Sequence, residues 1–554
     1  MQLLPSSMTG LAIGTYATIP TVLGPSLCKV QGVVASAHTD FTMSMLLSTT
    51  TLMPLTAGTA AVLLGTRVAD MSMRRLSIFS SVAFPTGLFL LPAAAVHANE
   101  YYAFMLSYGL IGGLGFFTSY HQINPHLAAR WFPSRHQGLA LSIYFTAFGG
   151  GALIGVPVLR ALLAHFRHAP TRLGSLSEIT TTVGDHGQRI VTIDGVDHEC
   201  IAATARDLAE SGFGSGSMVE EGIFLLDGSG SSGACETMVC TGAAVFTLMH
   251  AAAWAYRQPH PQGSPPLAAT TTQHAKPEAT GDGGRVGADL SFAEAVRTPH
   301  FYLLAAGSLG ISVTGLPFLH AGTFMINDLF GSSALGTSAA AASAAAFPAA
   351  LKGGNVLGRL IWGPVCDAVG APRALLLLGI GVPAIGACVA APHLIDSDAA
   401  TALAVFQAGA ITNCAIYAGV PLLLVPAAAT RFGKGCAAQV YWRTWIALPV
   451  ANVLATGYLA RARDANYKEH ATRLAELCEP EAFLQTFGAG KEQITHLVAS
   501  KTVTIPLLLK ICPTGTADPS PWLYNEVLSG FGLVGALAIG CNYAAFRLPL
   551  RSGR

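Results

Sequence analysis

Two cations border long stretches that lack Asp, Glu, Lys and Arg: Lys352 closes the run 329–351, and Arg443 precedes the run 444–460. Both stand about two helical turns inside a helix end, roughly 10 Å by helix rise. Ionisable side chains at such depth are costly and usually mark a transport or binding path. No Asp or Glu lies clearly at depth in any apolar run, so this positive pair would favour a bound anion. Arg offers a carboxylate a bidentate fork and Lys a point charge. The competing reading for Lys352 is snorkelling to the interface. For Arg443 it is the same escape, or stacking on Tyr441 or Trp445. Tyr16, Tyr120, His121, Tyr144, Gln407, Asn413 and Tyr417 could complete a site, although each alone is more often a packing residue. Without a buried acid, anion exchange or facilitated diffusion is favoured over carboxylate-coupled symport, while His121, His250 and His320 leave proton coupling open.

A second set of charges lies at a helix end. The stretch GNVLGRLIWGPVCDAVGAPR contains Arg359, then Gly363, Asp367, Gly370 and Arg373 at a G-x3-D-x2-G-x2-R spacing. The first half repeats the loop as TRVADMSMRR, with Asp70, Arg74 and Arg75. An Asp beside a tight basic turn can cap the next helix and pair with basic groups, a contact able to break as two halves rock. Topogenic charge on a glycine turn is the bland alternative, and recurrence in both halves favours the gating role. Cys200 and Cys235 lie in one polar segment and Cys478 and Cys512 in another. One disulfide within each is expected if the segments face an oxidising compartment, with free buried thiols as the alternative. No metal-ligand spacing, nucleophile elbow or phosphate loop occurs, so neither an enzyme nor a cofactor is expected.

The elements that must carry these residues are membrane helices. The chain has 554 residues, 51% hydrophobic and 11% charged, with 31 Lys+Arg against 30 Asp+Glu. A soluble domain is nearer 25% charged, and the balanced charge speaks against nucleic acid as a partner. Runs free of the four charged types are 1–28, 41–66, 76–99, 101–129, 136–159, 237–256, 298–327, 329–351, 374–395, 399–430, 444–460 and 527–546. Each is close to the roughly 20 residues a span requires. The stretch 1–27 carries no basic n-region and reads as a short tail leading into a first span. Basic residues concentrate after the second, fourth, eighth and tenth runs (Arg67, Arg74, Arg75; Arg130, Arg135; Arg359, Arg373; Arg431, Lys434), which puts those loops and both termini in the cytoplasm.

The expected fold is thus an all-α membrane protein with twelve transmembrane helices in two six-helix pseudo-repeats. Residues 1–256 form the first half with an outer segment at 165–236. Residues 257–290, rich in Pro and Gly, form a cytoplasmic linker. Residues 291–554 form the second half with an outer segment at 461–521. Both long segments precede the last helix of their half, as a parallel repeat requires.

The paired loops resemble the signature of the major facilitator superfamily. Three stretches look like its oxalate/formate antiporter and monocarboxylate transporter branch: ARWFPSRHQG at 129–138 leading into LALSIYFTAFGGG, SFAEAVRTPHFYLL at 291–304, and the second-half loop. The resemblance covers the helical parts of both halves and excludes the outer segments. It departs at Thr66 and Met73, where the family pattern has Gly. It implies a rocking transporter of a small organic anion, a monocarboxylate or dicarboxylate, in the plasma membrane or an endomembrane. Basic residues on the eighth and eleventh helices would hold the carboxylate, a role carried by helix to Lys352 and Arg443. The alternatives are another metabolite such as an amino acid, or a non-transporting receptor or sensor on the same fold. A monomer is plausible, and the lipid bilayer is the only other partner expected.

Overall fold

Lipid offers no hydrogen bonds to an exposed backbone, so long apolar runs must fold as helix. The computed structural model describes residues 3–33, 40–69, 71–121, 137–175, 177–184, 188–210, 220–226, 228–256, 290–330, 338–433, 436–500 and 502–549. Among them, eight helices are long and apolar enough to cross a membrane: Met43–Leu64, Arg74–His97, Phe145–Phe166, Ala234–Ala255, Pro299–Phe330, Ala371–Leu394, Ser397–Leu424 and Ser520–Arg547. The chain is a multi-pass integral membrane protein. The linker expected at 257–290 lies, but for Leu290, outside the described residues.

Four of the expected runs are not among these eight. The first is α-helical over Leu3–Gly14, then passes through a 3-10 turn at Thr15–Thr18 and a π turn at Ile19–Leu23, where Pro20 removes a backbone donor. A π turn at Ser107–Ile111 likewise interrupts the stretch between Tyr101 and His121. The helix Ser338–Val369 carries Lys352, Arg359 and Asp367. The helix Ala447–Leu477 starts apolar and ends charged. Gln137–Phe166 packs along Ser338–Val369, and Met43–Ala69 along Ala447–Leu477, so helices from the two ends of the sequence meet in pairs. One buried cluster runs through both sets of helices and includes Phe84, Phe148, Leu424 and Trp445. A second centres on Phe318, Phe406, Ala451 and Phe531.

Outside the membrane helices a sheet is added to the all-α fold. The first outer segment forms a five-stranded antiparallel sheet in the order β1-β5-β4-β3-β2. The strands are β1 Arg172–Gly174, β2 Thr182–Val183, β3 Arg189–Ile193, β4 Val196–Ala203 and β5 Gly222–Leu225. Its central hairpin turns at Asp194 and Gly195, both with positive φ (52° and 81°), between the paired residues Ile193 and Val196. That two-residue turn with β-branched flanks follows the right-handed twist of the strands. The second segment is helical. Ala447–Leu477 runs on beyond the apolar stretch because RARDANYKEHATRLAEL is rich in helix formers and buries Ala471, Leu474 and Ala475. Pro480–Phe487, Ile494–Ala499 and Ile505–Ile511 follow.

The two outer segments, together the cap, share a buried core. Val191, Cys200, Ala202 and Ile223 of the sheet pack against Ala471, Leu474, Phe483, Phe487, Leu497 and Leu508. Arg189, buried at the start of β3, donates to Thr181 Oγ1 and to the Thr486 carbonyl, each at 2.9 Å. Lys510 meets Glu221 at 2.7 Å and holds its carboxyl below the usual range. The expected Cys200–Cys235 disulfide is not formed. Cys200 is packed in the cap core, where burial pushes its thiol up to about 12, and Cys235 packs against the membrane core. A shared core has a testable consequence. Phe487 is fully buried, and Phe487→Ala should cost about 3–5 kcal/mol of local stability. Limited proteolysis should then cut both outer segments faster; faster cutting of 461–521 alone would show that the cores are separate.

Candidate binding cavity

On the helix Ser338–Val369, Lys352, Asn355 and Arg359 recur at i, i+3 and i+7, which places them on one face. A tight crossing sets the direction of that face. A Cβ on Gly358 would stand 2.1 Å from the Ala415 carbonyl oxygen, and one on Gly354 would stand 2.9 Å from that of Ile411. Small residues four apart let the helix press onto Ile395–Phe432 at these points. Trp362 Nε1 donates to the Ala415 carbonyl at 2.9 Å, and Asn355 Nδ2 to that of Cys414 at 3.2 Å.

The polar face opens on a cavity of about 70 Å³. Tyr16, Phe116, Tyr120 and Phe148 line it from the first part of the chain; His320, Lys352, Asn355, Arg359, Tyr417, Trp445 and Asn452 line it from the second. No Asp or Glu is among its lining residues. Lys352 is 1% exposed, and its ammonium donates to the Leu319 carbonyl at 2.9 Å. Arg359 Nε donates to Asn355 Oδ1 at 3.1 Å, and the guanidinium carbon lies 4.8 Å from the Phe148 ring centre and 5.7 Å from that of Phe145. The ring faces stabilise the cation without neutralising it. Arg359 Nη1 is buried with no hydrogen-bond partner among the described residues, and so is His320 Nδ1.

Contacts between the two parts of the chain stand at both ends of the cavity. At one end Tyr120 bonds Tyr441, and its ring lies 5.7 Å from that of Trp445. At the cap end Thr323 Oγ1 donates to the Thr21 carbonyl at 2.5 Å, and Ser44 bonds Asp464. Beneath the cap lies a vestibule of about 540 Å³. On its wall Arg463 grips Asp328 through two bonds of 3.0 Å, and the Tyr524 hydroxyl donates to the same carboxylate at 2.5 Å.

Of the residues expected from sequence, Lys352, Tyr16, Tyr120 and Tyr417 meet at this cavity. Gln407 does not. Its amide bonds Ser343 at 3.0 and 3.2 Å and joins two helices. Arg443 also lies outside the lining. Its guanidinium sits over Phe292, 5.3 Å from the ring centre, in a short helix Phe292–Arg297 that Ser291 and Glu294 cap reciprocally. The side chains of His121 and Tyr144, and residue Asp70, lie outside the described residues. Arg359, expected at the gating turn, lines the cavity instead. Its i+7 spacing from Lys352, through Asn355, was the signal for this. Asp367, Gly370 and Arg373 remain at the exposed helix end, where Gly370 turns the chain with φ +81°. Gly363 faces open space, Arg74 lies 4.5 Å over the Trp254 ring, and Arg75 is exposed.

No family profile and no curated sequence matches the chain. Solved structures do. A bacterial homologue of the human lysosomal transporter Spinster, inward-facing and unoccupied, is similar with TM-score 0.58 and 14% identity over 98% of this chain and 96% of that one. Its inward-facing occupied form gives TM-score 0.53 and 14% identity over 99% and 97%. The nucleoside transporter NupG gives 0.53 and 9% over 99% of each chain. The fold is that of these transporters. At such identities the likeness extends to helix arrangement and not to the residues of the cavity.

The crossing at Gly358 is directly testable. Gly358→Ala would force the helix off Ala415, at a cost of about 1–3 kcal/mol. It should lower the Tm of the purified protein by several degrees, whereas Gly363→Ala, with nothing within 4 Å of its added Cβ, should leave it unchanged. Equal effects would mean that the crossing does not hold the polar face.

Proposed function

We propose that the protein is a secondary active or facilitative transporter of the major facilitator type, moving a small organic anion by alternating access. The single observation that carries the anion is the half-buried Arg359, whose buried Nη1 has no partner among the described residues and which lines the same cavity as Lys352 with no carboxylate in the lining. A carboxylate held between Arg359 and Lys352 would supply the missing acceptor and counter-charge. The absence of an acid from the lining also disfavours an amino acid, whose ammonium would meet two cations. At roughly 10–15 Å³ per water-sized group, a cavity of about 70 Å³ has the scale of a small carboxylate.

This reading takes twelve helical passages as crossing the membrane, the four irregular or charged ones included. It places 1–256 and 291–554 as two halves rocking about the cavity, with the basic loops and both termini cytoplasmic. The contacts at Tyr120–Tyr441 and at Thr21–Thr323 are then the ones that must break in alternation.

Exchange of labelled oxalate, formate, lactate and pyruvate by reconstituted protein tests the proposal. Hydrogen bonds to a charged group contribute about 1.5–3 kcal/mol, so Arg359→Gln and Lys352→Gln should each cut exchange by about tenfold or more. Arg443→Ala, away from the lining, should change it by less than about threefold. Exchange of none of these anions, or exchange indifferent to Arg359→Gln and Lys352→Gln, would reject the anion site.

A further inference from the structure

In the cap, the helices Ala447–Leu477 and Ile505–Ile511 end side by side, and the residue that closes each is a cysteine. Cys478 and Cys512 both leave their helix in extended conformation, with ψ of 154° and 157°. Their sulfurs lie 3.1 Å apart although 34 positions separate them in sequence, and both thiols face the Leu474 carbonyl, at 3.3 and 3.5 Å. Cys478 is buried in the cap core, whereas Cys512 is partly exposed. The chain between them folds as Pro480–Phe487, Ile494–Ala499 and the start of Ile505–Ile511, and Val498, Val503, Ile505 and Pro506 on it form part of the wall of the vestibule.

We propose that Cys478 and Cys512 are a redox site, oxidised to a disulfide that staples the vestibule wall to the long helix Ala447–Leu477. This inference is independent of whether the protein transports an anion. The oxidant is a small disulfide of the glutathione class. The partly exposed Cys512, as its thiolate, attacks one of its sulfurs, releasing one thiolate and forming a mixed disulfide. Cys478, deprotonated in turn, attacks the Cys512 sulfur and expels the second small thiolate, so two protein thiols and one disulfide become one protein disulfide and two small thiols. Burial, followed by the neighbouring Cys512, pushes the Cys478 thiol up to about 12, while the Lys491 ammonium, bonded to the Cys478 carbonyl, pulls it the other way. The greater exposure of Cys512 assigns it the first attack, and the contact with Cys478 gives Lys491 a role in the second. Structural disulfides persist in oxidising compartments, so a stably oxidised pair would place the cap on the non-cytosolic side.

Full-length protein, purified without reductant and equilibrated with oxidised glutathione, is denatured in N-ethylmaleimide, reduced, alkylated with iodoacetamide and analysed by mass spectrometry. Cys478 and Cys512 should carry the second label and Cys200 the first. N-ethylmaleimide on both Cys478 and Cys512, or a bond from either to another cysteine, would overturn the proposal. Closing a loop of this length by a disulfide predicts hydrogen exchange across 494–511 about tenfold or more faster after reduction. Cys512→Ser should remove that difference. Equal exchange in the oxidised and reduced wild-type protein would overturn the staple.

Discussion

Two cations, Lys352 buried and Arg359 half-buried, line a cavity without a carboxylate, and holding them there sets the constraints on the rest of the molecule. A charge in a low-dielectric site survives only if other groups replace its water. Here the replacements come from several helices: the Leu319 carbonyl for Lys352, and Asn355 with the Phe145 and Phe148 rings for Arg359. Each depends on the helix Ser338–Val369 being pressed at Gly354 and Gly358 onto Ile395–Phe432. The crossing, the polar face and the cavity are therefore one arrangement.

The cap adds a second constraint. A single helix, Ala447–Leu477, contributes Leu448 and Asn452 to the cavity wall and Ala471 and Leu474 to the cap core. The sheet that completes that core follows the helix Gln137–Phe166, which carries Phe148. The cap is thus attached to both walls of the cavity, and movement of one wall against the other must be accommodated at the seam marked by Arg189–Thr486 and Glu221–Lys510.

The membrane helices were legible in the sequence because an apolar run in lipid has only one backbone solution. The depth of Lys352 was legible too, since it follows from counting turns. Arg359 belongs to the gating motif by sequence, but the i, i+3, i+7 face it shares with Lys352 and Asn355 turns it to the cavity. Arg443 was misplaced from the cavity because depth along a helix does not specify direction around it, and Phe292, more than a hundred residues away in sequence, takes its guanidinium. The sheet in the first outer segment had a local signal in Asp194-Gly195 between β-branched residues. The shared cap core had none, because it joins segments far apart in the chain.

The most direct test of the central claim is ligand-induced stabilisation of the purified protein across a panel of small carboxylates, compared among wild type, Arg359→Gln and Arg443→Gln. A ligand at a hundred times its Kd stabilises by about 2.7 kcal/mol, a rise in Tm of a few degrees. The account predicts that at least one carboxylate raises the Tm of wild type and Arg443→Gln, and leaves that of Arg359→Gln unmoved. Stabilisation that survives Arg359→Gln, or that no carboxylate produces in the wild type, would contradict it.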